Sequence, residues 1–139
     1  MTKPHMRVSS AVLSSPDANA LAAFYSGLLG WSVVDQEPGW VRVRPPAGGM
    51  GLSFHDEAHY TRPVWPSVPG QQIMMFHLDI ATDDLDAAVD RALMLGATFA
   101  EHQPQDEVRV MLDPDGHPFC LFQGAARIEF DTVDWGGVE

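Results

Sequence analysis

The sequence predicts an α+β protein made of two modules, each with the element order βαβββ. A strand, a capped amphipathic helix and three short strands follow one another twice, and a Leu-Gly pair ends both helical patterns, at Leu29–Gly30 and Leu95–Gly96. Each repeat also carries a Val-Arg-Val sequence in its third strand, at 41–43 and 108–110. Because one such module is too small to hide a face of its sheet, we expect the two sheets to form a shared, curved mixed sheet around a common interior.

Length, charge and cysteine content limit the class of protein. The chain has 139 residues, 45% of them hydrophobic, which is enough for one hydrophobic core. Its single cysteine excludes an intrachain disulfide and favours a reducing compartment. A formal net charge of −11 with only 8 scattered basic residues argues against nucleic-acid binding. Since neither a signal-peptide pattern nor an apolar run of membrane-spanning length is found, we expect a cytoplasmic protein without a membrane partner.

The first module is predicted at about residues 6–56. A weakly alternating strand at Arg7–Ser14 leads into a helix that Asp17 or Ser15 caps and Gly30 ends. Three strands follow, at Trp31–Gln36, Trp40–Arg44 and Gly51–His55. Helical spacing predicts the buried stripe of this helix, which consists of Leu21, Phe24, Tyr25, Leu28 and Leu29.

A proline-rich segment at 57–71 separates the modules within what we expect to be a single domain. Its prolines exclude a regular element, but apolar Tyr60, Val64 and Trp65 need cover, so we predict a linker that packs across the surface. After module two, the tail at 124–139 contains a possible strand, Arg127–Phe130, and Trp135. We expect the tail to form a peripheral strand or a dimer contact.

The second module, at about 72–123, repeats the pattern. A buried strand at Ile73–Ile80 carries His77 and Asp79, which point to one face because they are two residues apart. A helix at Asp83–Leu95, capped by Thr82 or Asp83, follows it. The remaining elements are predicted strands at Thr98–His102, Val108–Leu112 and Phe119–Phe122, with a turn at Asp113–Gly116 before the last strand.

Several sequence motifs identify a family resemblance. Ser15-Pro-Asp, Leu21-Ala-Ala-Phe-Tyr and Leu28-Leu-Gly-Trp lie in the first half, and His77-Leu-Asp, Asp83-Asp-Leu-Asp, Leu95-Gly-Ala and Asp113-Pro-Asp-Gly-His-Pro-Phe-Cys-Leu-Phe lie in the second. Together they span nearly all of residues 8–123 and resemble the vicinal oxygen chelate (VOC) superfamily. Within it, the chain is most similar to small bacterial proteins of the glyoxalase and bleomycin-resistance type. The resemblance implies a ligand cup between the two modules and assembly as a homodimer.

The resemblance also implies where a divalent metal would bind. Metal-dependent members hold the ion with residues of the first and last strand of each module, and the four corresponding corners here are Ser10 (or Ala11), Leu52, His77 and Cys120. Only His77 is a standard ligand, and His77 with Cys120 would still lack a third. We therefore expect no metal or other cofactor.

His77 and Cys120 are the two candidate reactive groups. His77 either contacts a ligand, where it could act as general acid or base, or is an interior histidine hydrogen-bonded to Asp79, a backbone carbonyl or water. Cys120 is either a small core residue or half of a Cys-His nucleophilic pair, which would require a lowered thiol pKa.

Aromatic residues supply the remaining candidates for recognition. We predict that Trp40, Phe54 and Trp65 contact a ligand, with both tryptophans at the rim, and that Phe76 and Phe122 belong to the core. The matched Arg42 and Arg109 either lie on the surface or anchor an anion.

The function that we predict is the binding of a small molecule in the cup without the usual metal. One alternative is an enzyme, of lyase, isomerase or dioxygenase type, whose nonstandard site uses His77. Another is sequestration of a cationic antibiotic of the bleomycin type, which the acidic charge would favour. The sequence alone does not decide whether the protein is an enzyme.

Overall fold

A computed structural model describes residues 2–124 of the chain. These residues form two compact units with a boundary between Glu57 and Ala58, so the proline-rich segment belongs to the second unit. The predicted strand Arg127–Phe130 and Trp135 lie outside the described residues. Neither helix in residues 2–124 has the length and apolar character that a membrane span requires.

The first unit contains one helix and a four-stranded sheet. Its elements are β1 (Ser10–Ser15), α1 (Ala18–Leu29), β2 (Ser32–Glu37), β3 (Trp40–Arg44) and β4 (Gly51–Asp56). The strand order is β1-β4-β3-β2, with β1 and β4 parallel and the other pairs antiparallel. The order of elements is as predicted, although β1 starts at Ser10 rather than at Arg7.

The second unit repeats this topology. Its elements are β5 (Leu78–Thr82), α2 (Leu85–Met94), β6 (Thr98–Phe99), β7 (Val108–Leu112) and β8 (Pro118–Gln123). The strand order is β5-β8-β7-β6, and β5 and β8 are the parallel pair. Each unit is therefore one βαβββ module, and the predicted α+β fold is confirmed.

Side chains cap both helices. The Oδ1 atom of Asp17 accepts a hydrogen bond from the Ala20 amide at 3.2 Å, and Gly30 ends α1 with a φ of 69°. The cap of α2 is Asp84, one residue later than predicted, and its Oδ1 accepts from the Ala87 amide at 3.0 Å. Thr82 is not the cap. Its hydroxyl oxygen accepts a hydrogen bond from the Asp84 amide in the turn before the helix.

The predicted strand Ile73–Ile80 is wrong in its first half. β5 begins only at Leu78, which pairs with Phe119, because β8 itself begins at Pro118 and offers no partner to earlier residues. Ile73 makes an isolated bridge to Val64. The expected burial fails there too, and the exposed side chains before the strand are those of Ile73, Met75 and Phe76.

The β6 strand is also shorter than the predicted Thr98–His102. Where the strand ends, the side chain of Gln103 hydrogen-bonds to the backbone. Its Nε2 donates to the carbonyl oxygens of Ala100 and Val110, each at 2.8 Å. Its Oε1 accepts from the Val110 amide at 3.0 Å. One amide side chain thereby satisfies backbone groups of Ala100 and Val110, and the Val110 carbonyl also accepts from the Ala100 amide at 3.1 Å.

The core of the first module lies between α1 and its sheet. Leu21, Phe24 and Tyr25 are buried as predicted, whereas Leu28 and Leu29 are half-buried. The Tyr25 ring stacks on that of Phe54 in β4, with centroids 5.7 Å apart and planes at 14°.

The proline-rich segment packs on the second module. The Tyr60 hydroxyl donates to the carbonyl oxygen of Asp115 at 2.9 Å, and its ring lies 5.2 Å from that of His117. Further along, Trp65 packs against buried Val110 and Cys120. These contacts place Trp65 beside the sheet of the second module.

Candidate functional site

A cavity of about 460 Å³ lies in the second module. Its size is within the range of about 300–1,000 Å³ that is usual for small-molecule pockets. Its walls come from the proline-rich segment, the sheet and the loop after β6. The lining residues are Trp65, His77, Asp79, Pro104, Gln105, Val108, Val110, Cys120 and Phe122.

Strand register explains why these side chains meet. Asp79 in β5 is the direct partner of Cys120 in β8, and Cys120 is in turn the partner of Val110 in β7. Partners in adjacent strands point to the same face, and residues two apart in one strand do so as well. Phe122 therefore joins this face, and His77, which directly precedes β5, lines the same cavity. Phe119 and Leu121 point to the opposite face, where they are buried.

His77 is held by an acidic partner and an aromatic one. Its Nε2 lies 3.1 Å from the Oδ1 of Asp79, and the two side chains are 29% and 64% exposed. The ring of Trp65 stacks on the imidazole with centroids 5.1 Å apart and planes at 24°. Trp65 is itself in edge contact with His102 at 5.7 Å. The predicted contact between His77 and Asp79 is thus present, and the imidazole also borders the cavity.

Cys120 is a protonated thiol at neutral pH. Only 5% of the residue is exposed, and burial is the largest cause that raises its pKa to about 11. The negative charge of Asp79 and a hydrogen bond to that carboxylate raise the pKa further. This direction is opposite to the lowered pKa that the predicted Cys-His nucleophilic pair requires.

Three possible metal ligands converge on the cavity. One ligand atom from each of His77, Asp79 and Cys120 lies within 4.8 Å of the other two. From the sequence, Asp79 was expected only as a hydrogen-bond partner of His77, and the structure adds its carboxylate to His77 and Cys120 as a possible ligand. An imidazole nitrogen, a carboxylate oxygen and a thiolate sulfur are all ligands that zinc accepts, so the residues present fit that ion.

The residue of the first module that is equivalent to Cys120 is Ser53, and Leu52 is its neighbour. In the first module, Ser53 pairs with Val12, two residues after Ser10. In the second module, Cys120 pairs with Asp79, two residues after His77. Ser53 rather than Leu52 therefore corresponds to Cys120. Leu52 is 2% exposed and points to the opposite face from Ser53. The hydroxyl oxygens of Ser10 and Ser53 are hydrogen-bonded to each other at 2.6 Å. Neither offers the imidazole or carboxylate that a divalent ion prefers.

The aromatic candidates have different environments. Trp65 lines the cavity with His77 and Cys120, as its predicted role requires. Phe54 is fully buried against Tyr25, so its ring is part of the core of the first module and has no surface left for a ligand. Trp40 is half-buried at the start of β3, opposite His55, and its contact with a ligand stays a prediction.

Arg42 and Arg109 do not occupy equivalent places. Arg42 pairs with Ser53, whereas Arg109 pairs with Leu121 and so points away from the cavity. The Nη1 of Arg109 donates to the backbone oxygens of Asp106 and Val108. The Val-Arg-Val repeat is therefore out of structural register by one residue, which reverses the face of every side chain in it.

Sequence reasoning missed part of the cavity wall. Phe122 was assigned to the core, although its spacing of two from Cys120 predicts the same face. Val108 and Val110 are also two residues apart in one strand, so their side chains point to the same face. Pro104 and Gln105 lie in a loop, and no periodic signal marks a loop residue as part of a pocket.

The two modules and their strand orders define the class of protein. Two four-stranded mixed sheets of βαβββ topology, each with one helix, form the VOC fold. Residues 10–122 match the model of the family described as "Glyoxalase-like domain". The chain belongs to this family, within the VOC superfamily.

Solved structures with the same fold share little sequence with the chain. A glyoxalase/bleomycin resistance protein/dioxygenase family enzyme from Burkholderia phytofirmans PsJN is 17% identical, with a TM-score of 0.64 over 83% of this chain and 96% of that one. A glyoxalase-related enzyme from Fulvimarina pelagi is 18% identical, with a TM-score of 0.62 and coverage of 86% and 89%. A bleomycin resistance determinant encoded on the transposon Tn5 is 21% identical, with a TM-score of 0.57 and coverage of 86% and 98%. No curated protein matches the sequence.

Proposed function

We propose that the protein binds a small molecule in the cavity of the second module. The observation that carries this proposal is the convergence of Trp65, His77, Asp79 and Cys120 on one cavity of about 460 Å³. Apolar walls with a few polar groups that fix orientation are the usual composition of a small-molecule site.

The chemistry of the walls defines a general ligand type. Trp65 and Phe122 offer aromatic surface, and Val108 and Val110 offer aliphatic surface. The polar contacts come from His77 and from the carboxylate of Asp79, which is 64% exposed and so open to a hydrogen-bond donor. A flat, partly apolar molecule with a donor group at one end would satisfy both kinds of wall.

This binding mode does not need the four-residue metal site of other superfamily members. Two of the corresponding corners are Ser10 and Ser53, whose hydroxyl groups bond to each other. The proposed contacts are stacking on Trp65, burial against the valines and hydrogen bonds to His77 and Asp79. Each of these acts on the ligand directly.

The exposed charge of Asp79 favours a ligand that carries a positive group. The chain's net charge of −11 would also attract cations over a longer range. Sequestration of a cationic antibiotic is therefore a specific form of the proposal. Binding of that kind should weaken as salt is added, because salt screens exposed charges.

An enzyme that uses His77 is the second candidate function. The observation in its favour is the 3.1 Å contact between Nε2 of His77 and the Asp79 carboxylate, since a carboxylate partner orients an imidazole for proton transfer. A bell-shaped or sigmoidal pH dependence of turnover, lost in His77→Gln, would support this candidate. Binding without turnover would leave the first proposal alone.

A thermal-shift screen of small metabolites and cationic antibiotics tests the proposal. A true ligand should raise the melting temperature of the wild type and fail to do so for Val108→Trp, which fills the cavity with an indole. Val33→Trp in β2 is a matched control, because Val33 is 47% exposed and lies in the first module. Ligands that stabilise Val108→Trp and wild type equally would contradict binding in this cavity.

We also propose that the protein forms a homodimer, as the family resemblance implies. Light scattering coupled to size-exclusion chromatography should give twice the chain mass of 15.2 kDa. A single species at the chain mass across the concentrations of the binding assays would contradict this proposal.

A further inference from the structure

We propose that His77, Asp79 and Cys120 of the second module bind one zinc ion. The site goes beyond the proposed small-molecule binding, and it is not the four-corner arrangement, because Asp79 replaces the ligands of the first module. Asp79 and Cys120 lie on two adjacent strands of one sheet and His77 directly precedes the first of them, so the site needs nothing outside the second module.

The distances fit a small ion after a modest adjustment. The three ligand atoms lie within 4.8 Å of one another, and the Nε2 of His77 is 3.1 Å from the Oδ1 of Asp79. With bonds of about 2.0–2.3 Å, the ligand atoms around tetrahedral zinc are roughly 3.3–3.8 Å apart. Side-chain rotation of His77 and Asp79, which are 29% and 64% exposed, can bring the ligand atoms to these distances without movement of the sheet.

Charge and ligand type also favour zinc. A neutral imidazole, a carboxylate and a thiolate together carry two negative charges, which balance the charge of a divalent ion in a partly buried site. The thiolate favours zinc over magnesium or calcium, which prefer oxygen ligands.

Ligation involves one proton transfer and no redox step. The S–H bond of Cys120 breaks, its proton passes to solvent or buffer, and the sulfur forms the bond to zinc. His77 binds through a ring nitrogen that carries no hydrogen and Asp79 through a carboxylate oxygen, so the proton that leaves on ligation is that of the thiol.

The residues around the proposed zinc site leave one side of it open to the cavity. Trp65 stacks on His77 and orients the imidazole, and Val110 lies next to Cys120 as its partner in β7. The three ligands line the cavity, so a fourth coordination position would face it and could take a water molecule or a donor atom of a ligand.

Cobalt titration of chelator-treated protein tests the site without any activity assay. Cobalt(II) accepts the same ligands as zinc and reports them by absorption. We expect visible bands typical of four-coordinate cobalt, a near-ultraviolet sulfur-to-cobalt charge-transfer band, saturation at one ion per chain, and displacement by zinc.

Substitutions then assign the ligands. Cys120→Ser should remove the charge-transfer band, and Asp79→Asn or His77→Gln should weaken cobalt binding by more than about tenfold, a loss that even the partners of metal ligands commonly cause. His59→Gln is the matched control, because His59 is exposed in the same module and outside the cluster, and it should bind as wild type does. Circular dichroism checks that each variant is folded.

The outcomes separate this proposal from the proposed function. Absence of the band in wild type, its persistence in Cys120→Ser, or equal affinity in wild type, Asp79→Asn and His77→Gln would each overturn the zinc site. The thermal-shift screen, run with chelator present, tests small-molecule binding independently. If the zinc site is absent but ligands still raise the melting temperature, the proposed function stands.

Discussion

Asp79 and Cys120 face each other as direct partners across the parallel strands β5 and β8, and a hydrogen bond joins their side chains. This pairing determines the chemistry of the cavity. Together with burial, which is the larger effect, it raises the pKa of the Cys120 thiol, and it also places a carboxylate beside His77 and completes a set of three possible metal ligands.

We expect Cys120 to react slowly with thiol reagents in metal-free protein. Its pKa of about 11 instead of 9.0 lowers the fraction of thiolate at neutral pH about 100-fold. Asp79→Asn removes the negative charge and should speed labelling, although the larger effect of burial remains. The rate is measured with a chromogenic disulfide at several pH values.

Two controls define that experiment. Asp83→Asn removes an exposed charge outside the cavity and should leave the labelling rate unchanged. Urea-unfolded protein gives the rate of an accessible thiol. Labelling of folded wild type as fast as that of unfolded protein would contradict both the burial and the raised pKa of Cys120.

The free energy of unfolding should fall as the pH rises from about 9 to about 11. The pKa of Cys120 is 9.0 in the unfolded reference and about 11 in the folded protein, so the unfolded chain loses this proton first and alkali favours it. Burial also raises the pKa of Tyr60, as do Asp113 and Asp115, against a smaller opposing effect of Arg62.

Urea denaturation across that pH range measures the effect. The double variant Cys120→Ala, Tyr60→Phe should show a shallower fall, because neither new side chain ionises. Identical pH profiles for wild type and the double variant would show that other groups cause the alkaline loss.

Asp113→Ala should destabilise the protein by about 3 kcal/mol, because a buried acceptor of several hydrogen bonds is lost. Asp113 is 1% exposed, and its Oδ1 accepts from the backbone amides of Asp115 and His117 and lies 3.0 Å from the Nδ1 of His117. Chemical denaturation provides the measurement. Asp90→Ala on the exposed face of α2 should change stability by less than about 0.5 kcal/mol, and an equal effect of both substitutions would contradict this account.

Phe54→Leu should lower stability by about 1–2 kcal/mol without changing the affinity of a ligand for the second-module cavity. Phe54 is 0% exposed and stacked on Tyr25, so it contributes to packing alone. Trp65→Ala should instead cause a clear loss of ligand affinity, because Trp65 lines the cavity. Calorimetric titration with a hit from the screen compares the variants, and weaker binding in folded Phe54→Leu would restore its predicted role as a ligand contact.

Local patterns predicted most of the fold. Alternating apolar residues, the cap at Asp17 and the glycine at residue 30 identify elements through interactions between near neighbours in the chain, which a sequence displays directly. The predicted strand lengths were wrong where strand pairing depends on a residue that is distant in the sequence. The strand at β5 is shortened because β8 begins late, and β6 is shortened because the Gln103 side chain takes over its hydrogen bonds.

The sequence by itself determined the two βαβββ modules and the family, and it indicated His77 and Cys120 as candidate site residues. Only the tertiary structure decided that Asp79 completes their cluster, that Ser53 rather than Leu52 is equivalent to Cys120, and that Phe54 belongs to the core. The physical reason is register. A shift of one residue between paired strands sends every side chain to the other face of the sheet, and that shift is set by contacts between strands that lie far apart in sequence.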